Sequence, residues 1–258
     1  MRPNLSKKQL SQISLSESCK AIILGSLLGD GSLKLYKPYK NARFWIRHSW
    51  IQKEYWDWKI ARLSEINTKR SNQVQSPTGY SKQKKLLFQS AALEKLTQIY
   101  NITYKNNRLY IKRKWLNHMS TLSLAIWWLD DGSIIGNGKR GVFCTDAFSK
   151  KDHQLLQRYL HIIWKIDTKL GILNREYKGH TKQIYRLYLN NQALKKFLVL
   201  IMPYAPIPSM IYKYCILYKD PNLQERWISE MLVAFPDWET NIRESIQNRK
   251  LKLKYFRK

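Results

Sequence analysis

Two short stretches of the sequence decide its architecture: residues 23–31 are ILGSLLGDG, and residues 124–132 are LAIWWLDDG. Each stretch is apolar on nearly every face of a helix, so each predicts a buried helix. Each ends in Asp-Gly, a pair typical of turns and helix ends. Gly25 and Ala125 are small enough for two helix backbones to approach closely. We therefore expect the two helices to pack against each other.

The two predicted helices run from about Glu17 to Leu28 and from about Thr121 to Leu129. Ser14 and Glu17 have the spacing of a capping box, which predicts Ser14 as the residue that caps the first helix.

The elements that follow the two helices repeat in the same order, as alternating strand patterns and amphipathic helical patterns. Matching positions in three separate elements are 101 residues apart: Asp30 and Asp131, Leu86 and Leu187, Leu93 and Leu194. A constant separation across three elements indicates an internal duplication. We predict an α+β fold of two pseudo-symmetric αββαββα-like repeats.

The charge predicts a polyanionic partner. The chain has 258 residues, with 46 Lys and Arg against 18 Asp and Glu, a net charge of +28 and a pI near 10.0. Basic residues occur in nearly every segment, which indicates an extended basic surface on a folded body. Nucleic acid fits this surface, because neutralising phosphates releases counterions and increases affinity.

The composition also excludes several classes of protein. A chain that is 44% hydrophobic and 13% aromatic can bury a core, which excludes wholesale disorder. No stretch approaches the roughly 18 apolar residues of a membrane span, so we expect no membrane partner. The 3 cysteines are far apart and form neither a disulfide framework nor a Cys-x-x-Cys zinc site.

Asp30 and Asp131 are the candidate catalytic residues. At matching positions of a duplicated chain, they would lie side by side on the pseudo-two-fold axis. Neighbouring carboxylates are tolerated when a divalent cation lies between them. Mg²⁺ suits carboxylates, backbone carbonyls and phosphate oxygens, so we predict two or more divalent ions at the paired aspartates.

The paired stretches resemble the signatures of the LAGLIDADG homing endonucleases, and the resemblance spans about residues 17–219. It implies a single-chain, two-repeat enzyme whose motif helices pack at the domain interface. It also implies antiparallel sheets that form a DNA-binding saddle. The metal ligands that it implies are the side chains of Asp30 and Asp131 and the backbone carbonyls of Gly29 and Asp130.

The sequence departs from the family pattern at three positions. Ile126 stands where the family often has Gly, and Leu28 and Leu129 stand where it has its middle acid. We expect these departures to affect helix packing more than chemistry.

A third signature, PIPSMIYK at residues 206–213, resembles the family's proline-rich turn that leads to a Tyr-Lys pair. The resemblance implies that Lys213 approaches the active site. There it would stabilise the charge that develops on the phosphate, or order the attacking water. The counterpart in the first repeat should lie within residues 108–112, where Arg108 is our choice and Lys112 the alternative.

Base readout is expected from strand residues that face the duplex, since a β surface can enter the major groove. In the predicted strand at residues 43–48, Arg43, Trp45 and Arg47 share one face. The full set of candidate DNA-binding residues is Lys34, Tyr36, Arg43, Trp45, Arg47, Gln73, Gln75, Lys85, Gln89, Arg175, Lys182, Arg186 and Tyr188.

We divide the chain into four segments. Residues 1–16 are a basic N-terminal arm, 17–116 the first LAGLIDADG repeat, 117–221 the second, and 222–258 a helical extension with a basic tail. Alternatives for the arm are a frayed terminus and a transit peptide, although the segment lacks an amphipathic arginine pattern.

The expected function is a magnesium-dependent, site-specific double-strand DNA endonuclease that acts as a monomer. The resemblance implies short 3′ overhangs and intron homing. One alternative is an intron maturase on the same fold, with host intron RNA as its partner and catalysis lost. Another is a DNA-binding regulator that does not cleave.

Abundant Lys, Asn, Ile and Tyr indicate AT-rich coding, as in the genome of a chloroplast or mitochondrion. We therefore expect an organelle location. The first residue is neither Cys nor Ser, so we do not expect an intein.

Overall fold

The computed structural model describes residues 13–77, 83–177 and 179–257. Most of the predicted basic arm, residues 1–12, lies outside the described residues. In the part of the chain that is described, every helix is too short or too polar to cross a membrane. The chain divides into two compact units, and the boundary in the sequence falls between Asp130 and Asp131.

The first unit is an antiparallel sheet with helices, and its strands are in the order β1-β2-β4-β3. Its repeat consists of α1 (Glu17–Ser26), β1 (Gly31–Lys34), β2 (Arg43–Ser49), α2 (Lys53–Ala61), β3 (Asn72–Gln75), β4 (Lys85–Gln89) and α3 (Glu94–Thr103). A connecting region follows, with β5 (Tyr104–Lys105), β6 (Arg108–Leu109) and α4 (Arg113–Leu116). The next helix, α5 (Thr121–Asp131), carries the second motif and packs within the first unit up to Asp130.

The second unit has the same sheet topology, in the order β7-β8-β10-β9. Its elements after α5 are β7 (Gly132–Ile135), β8 (Arg140–Phe143), α6 (Lys150–Trp164), β9 (Lys169–Tyr177), β10 (His180–Leu189) and α7 (Asn191–Ile201). The succession αββαββα thus occurs twice, which confirms the predicted fold class. The chain continues through a 3₁₀ segment (Pro208–Lys213), α8 (Pro221–Ala234) and α9 (Glu239–Lys252).

Helix α1 begins at Glu17, as predicted, but its capping residue is two residues later in the chain than the predicted Ser14. Ser16 caps the helix, and its Oγ accepts a hydrogen bond from the Cys19 amide at 3.2 Å. Ser14 does not cap it. Ile13 and Leu15 are buried, which places the next residue, Ser16, at the point where the helix begins. Side-chain burial therefore selects the capping residue.

The two motif helices contact each other, as predicted. A Cβ atom added at Gly25 would lie 2.4 Å from the carbonyl oxygen of Ser123 and 2.9 Å from the Cβ of Ile126. Only glycine leaves room for so close an approach. The side chain at Ile126, where the family often has Gly, is thus accommodated by the missing side chain of Gly25.

The separation between the repeats is less regular than the sequence predicts. The first sheet aligns Gly31, Ile46 and Phe88 across its strands, and the second aligns Gly132, Phe143 and Leu187. Phe88, and not Leu86, is therefore the counterpart of Leu187, at a separation of 99 residues. A slip of two residues leaves every side chain on the same face, so alternation alone cannot detect it.

Candidate functional site

The two candidate catalytic aspartates belong to different compact units. Asp30 lies between α1 and β1, and its half-exposed carboxylate has Oδ2 3.6 Å from Nδ1 of His48. Asp131 is the last residue of α5, and its backbone carbonyl accepts a hydrogen bond from the Cys144 amide at 3.1 Å. Each motif helix therefore delivers an aspartate to the beginning of the first strand of a sheet.

His48 lies on the buried face of β2, and its Nδ1 is the atom nearest to the Asp30 carboxylate. Its Nε2 lies 3.4 Å from Nζ of Lys59, and its Nδ1 lies 3.2 Å from Oε1 of Gln52. An ammonium group has only donors, so Nε2 accepts from Lys59 and the ring proton is on Nδ1. That proton is directed at Gln52 and Asp30.

The Asp130 side chain is held in a buried ion pair with Lys59. Nζ of Lys59 lies 2.8 and 2.9 Å from the two carboxylate oxygens, and the Tyr55 hydroxyl donates to Oδ1 at 2.8 Å. Burial alone would raise the pKa of the Asp130 carboxyl. The charge of Lys59, with the hydrogen bonds from Lys59 and Tyr55, holds that pKa below its ordinary value. The Asp130 carboxylate is therefore ionised inside the protein.

An acidic cluster in the first unit can hold a metal ion. Ligand atoms of Asp30, His48 and Asp130 lie within 4.8 Å of one another. The Asp130 oxygens already accept hydrogen bonds from Lys59 and Tyr55. The Asp30 carboxylate is half-exposed, which suits a hard cation that keeps several of its waters. Asp30 is thus the carboxylate of this cluster best placed to bind an ion from solvent.

Gly29 lies directly against Asp130. A Cβ atom added at Gly29 would be 2.5 Å from the Cβ of Asp130. The two residues whose carbonyls the family resemblance implies as metal ligands therefore lie next to each other.

In the second unit, Lys213 reaches the residue that follows Asp131. Its Nζ donates to the carbonyl oxygen of Gly132 at 2.6 Å, and the side chain is largely buried. The approach of Lys213 to an active site, and its catalytic role, stay predictions.

The counterpart of Lys213 in the first unit remains open between two residues. Arg108 is exposed on β6. Nζ of Lys112 donates to the carbonyl oxygen of Tyr104 at 3.1 Å and lies 4.5 Å from the centre of the Tyr110 ring.

Candidate DNA-binding residues of the first unit share one face of its sheet. Strand register places Lys34 opposite Arg43 and Trp45 opposite Gln89. Gln75 is opposite Lys85 on the same face. Leu87 has two partners on this face, Arg47 on one side and Gln73 on the other. Tyr36 follows β1 and is exposed. This face presents the donors and acceptors of basic, amide and aromatic side chains.

The corresponding face of the second unit is partly neutralised. Register places Arg175 opposite Lys182, and Arg186 and Tyr188 lie on the same face. Asp146 accepts two hydrogen bonds from Arg186, from Nε at 2.6 Å and from a terminal nitrogen at 2.7 Å. These bonds raise the pKa of Arg186 and engage its guanidinium within the protein. The sequence did not identify Asp146 as a partner.

Sequence reasoning also missed His48, Tyr55 and Lys59. Two signals were present. His48 lies on the same strand face as the buried Phe44 and Ile46, and Tyr55 and Lys59 lie four residues apart on one helix face. Neither signal identifies Asp130 as the common partner.

A sequence model described as the LAGLIDADG DNA endonuclease family matches residues 20–197. The chain is 29% identical over 213 residues to "Protein RecA" of Mycobacterium gastri, covering 77% of this chain and 47% of that protein. It is 29% identical over 209 residues to "Cytochrome b mRNA maturase bI2" of Saccharomyces cerevisiae, covering 77% and 48%. The chain thus spans about half the length of these curated relatives.

Among solved structures, the fold is similar to that of the homing endonuclease I-WcaI bound to its DNA recognition sequence. The TM-score is 0.65 at 21% identity, and the alignment covers 85% of this chain and 96% of that one. This likeness supports the fold, and the family match extends over more than half of the sequence. The chain belongs to the LAGLIDADG DNA endonuclease family.

Proposed function

We propose that the protein is a magnesium-dependent, site-specific endonuclease that cleaves both strands of duplex DNA. One observation carries the proposal. Each motif helix is followed by a sheet, and an aspartate precedes the first strand of that sheet: Asp30 lies in the turn after α1, and Asp131 is the last residue of α5. Both sheets carry basic side chains on one face. The net charge of +28 favours a polyanionic substrate.

In this proposal, Asp30 and Asp131 each help to hold divalent ions, two or more in total, with the carbonyls of Gly29 and Asp130 as further ligands. When bound, Mg²⁺ supplies positive charge against the scissile phosphate and acidifies the attacking water. His48 lies beside the Asp30 carboxylate, with Nδ1 3.6 Å from Oδ2, and helps to fix its position.

Lys213 stabilises the negative charge that develops on the phosphate in the second unit. Its ammonium is held by the hydrogen bond to the carbonyl of Gly132, the residue that follows Asp131, so it is already in place when the substrate binds. Arg108, or Lys112, serves the first unit.

The thirteen candidate DNA-binding residues contact the target duplex, and the chain works as a monomer. Family membership supports short 3′ overhangs and a role in intron homing. An organelle genome is the proposed source.

The test is cleavage of a plasmid library of random target sites, with and without Mg²⁺. We expect the metal to be required and one family of related sites to be cut with short 3′ overhangs. Binding to that site should weaken steeply with salt, with a slope that corresponds to roughly 6–10 neutralised phosphates. Binding without any cutting in Mg²⁺ would contradict the endonuclease and favour a DNA-binding regulator.

A second candidate function is an RNA maturase, favoured by the similarity to cytochrome b mRNA maturase bI2. A splicing assay on the host intron RNA separates the two. Accelerated splicing by a protein that does not cut DNA would support the maturase alone, and both activities together would support a dual role.

A further inference from the structure

The segment that carries Lys213 depends on side chains from outside the repeat. We define the C-terminal extension as residues 221–257, which contain α8 and α9. Nε1 of Trp227 donates to the carbonyl of Tyr214 at 3.1 Å, and Nε2 of Gln224 donates to the carbonyl of Ile216 at 3.2 Å. Side chains of the extension thus satisfy backbone acceptors that directly follow Lys213.

Arg249 on α9 donates hydrogen bonds to backbone carbonyls of two separate segments. One terminal nitrogen donates to the carbonyls of Tyr212 and Cys215, at 2.8 and 3.1 Å, and the other donates to the carbonyl of Ile134 at 3.2 Å. Ile134 belongs to β7, the strand that begins immediately after Asp131. The guanidinium therefore joins the strand next to Asp131 to the segment that contains Lys213.

The surroundings of Arg249 indicate a positional role. It lies on the wall of a cleft of about 480 Å³ between α9, β7 and the Pro208–Lys213 segment. Burial lowers the pKa of Arg249, because removing the charged guanidinium from water costs free energy. All three acceptors are backbone carbonyls, and the rigid fork of an arginine can reach several of them at once.

We propose that Arg249 is a positioning residue, which fixes the Lys213 segment against β7 and makes the C-terminal extension part of the support of the second unit's site. The inference rests on the proposed function only where it concerns cleavage. Lys213 donates to Gly132 on the same strand, so Arg249 and Lys213 tie the same two segments together at different points.

The first test is hydrogen exchange and needs no substrate. In Arg249→Met, amides of residues 212–217 should exchange about 10-fold faster or more, because opening of this segment becomes easier. Arg243→Met is the matched control, because it removes the same group from the same helix. Within the described residues, Arg243 pairs with Glu225 and Glu239, and its loss should leave exchange of the 212–217 amides unchanged.

Arg249→Lys preserves the charge but cannot reach three carbonyls, so it should give an intermediate rate. It also covers the case in which Arg249→Met does not fold. Exchange at the unmodified rate in a folded Arg249 variant would overturn the proposal.

The second test is single-turnover cleavage of the duplex recovered from the library. Arg249→Met should slow cleavage about 10-fold, since small misplacements of a catalytic group have effects of this order or larger. Combined with Lys213→Met, it should slow cleavage no further, because it acts through Lys213. Additive effects would overturn the proposal. If the unmodified protein cuts no duplex, the endonuclease proposal fails, and hydrogen exchange still decides the role of Arg249.

Discussion

The two units share a topology but support their aspartates differently. In the first, Asp30 is next to His48, and behind it lies the buried ion pair of Lys59 and Asp130. In the second, the support near Asp131 comes from Lys213 and its hydrogen bond to a backbone carbonyl. The duplicated fold thus keeps the position of a candidate catalytic aspartate, while the side chains around it differ between the two units.

The two motifs carry different residues at the position before the candidate catalytic aspartate. Gly29 and Asp130 occupy matching places, and there is no space for a side chain at Gly29 because Asp130 is there. An acid at one of the two positions therefore requires a glycine at the other. Once buried, that acid needs a cation, which Lys59 supplies.

The largest expected effect is on the stability of the first unit. Lys59→Met leaves the Asp130 carboxylate buried without its cation, and should lower the free energy of unfolding by about 3–5 kcal/mol. Lys53→Met, in the same helix, breaks only an exposed pair with Asp57 and should leave stability nearly unchanged. Denaturant unfolding of both variants measures the difference.

A double variant sharpens this result. Lys59→Met combined with Asp130→Asn removes both charges and should recover much of the loss. Equal destabilisation by Lys59→Met and Lys53→Met would mean that the buried pair does not distinguish the first unit.

The next effect concerns Lys213, the buried ammonium group of the second unit. Lys213→Met should slow single-turnover cleavage by roughly 10²–10³-fold, as for the loss of one preorganised donor. DNA affinity should change little, since one of 46 basic residues is lost. The same assay on Arg108→Met and Lys112→Met identifies the counterpart in the first unit. A collapse of affinity with a normal rate at saturating protein would make Lys213 a binding residue.

A smaller difference is expected between the two sheet faces. Arg47 is exposed in the first unit, whereas Arg186 in the second is held by Asp146. Arg47→Ala should lower the salt slope of DNA binding by about one, and Arg186→Ala by less, because its charge is already partly neutralised. Titrations at several salt concentrations measure both slopes. A larger loss at Arg186 would show that Asp146 releases it to DNA.

The smallest expected effect is a difference in pH dependence. His153 of the second unit is buried, with Nδ1 donating to the Ser149 carbonyl and Nε2 accepting from Thr145. Burial lowers the pKa of His153 below its ordinary value of 6.5. The unfolded chain therefore binds the proton more readily, and stability is lost as the pH falls below that value.

The buried Asp130 carboxyl of the first unit has a pKa held below 3.8, so its contribution to stability is lost only at lower pH. Unfolding measured between about pH 7.5 and about pH 5 should show the loss, and His153→Gln should flatten it. His161→Gln, on the exposed side of the same helix, is the control. If the free energy of unfolding of His153→Gln falls with pH as steeply as that of the unmodified protein, other groups cause the loss of stability.

The sequence predicts those features of the site that depend on local patterns. The buried motif helices, the Asp-Gly ends and the face shared by Arg43, Trp45 and Arg47 all follow from helix and strand periodicity. Each of these patterns lies within a few neighbouring residues.

The rest depends on partners that are distant in the chain. Lys59 and Asp130 are 71 residues apart, and nothing near either residue identifies the other. The contacts of Arg249 are hidden for another reason: its acceptors are backbone carbonyls, which every residue has. Burial and pairing at these sites can be read only from the folded chain.

The most direct test of the central claim is cleavage by Asp30→Asn and Asp131→Asn. Each substitution removes an anionic ligand but preserves shape, so both variants should fold and bind the target. Affinity should be equal or greater, because a negative charge that faces phosphates is lost. Binding should also persist when Ca²⁺ replaces Mg²⁺ in the unmodified protein, with little turnover.

The decisive measurement is double-strand cutting at saturating protein in Mg²⁺. We predict that neither variant cuts both strands, because each aspartate helps to hold the divalent ions. Near-normal double-strand cutting by either variant would remove that aspartate from the active site and contradict the claim that the two Asp-Gly ends are catalytic.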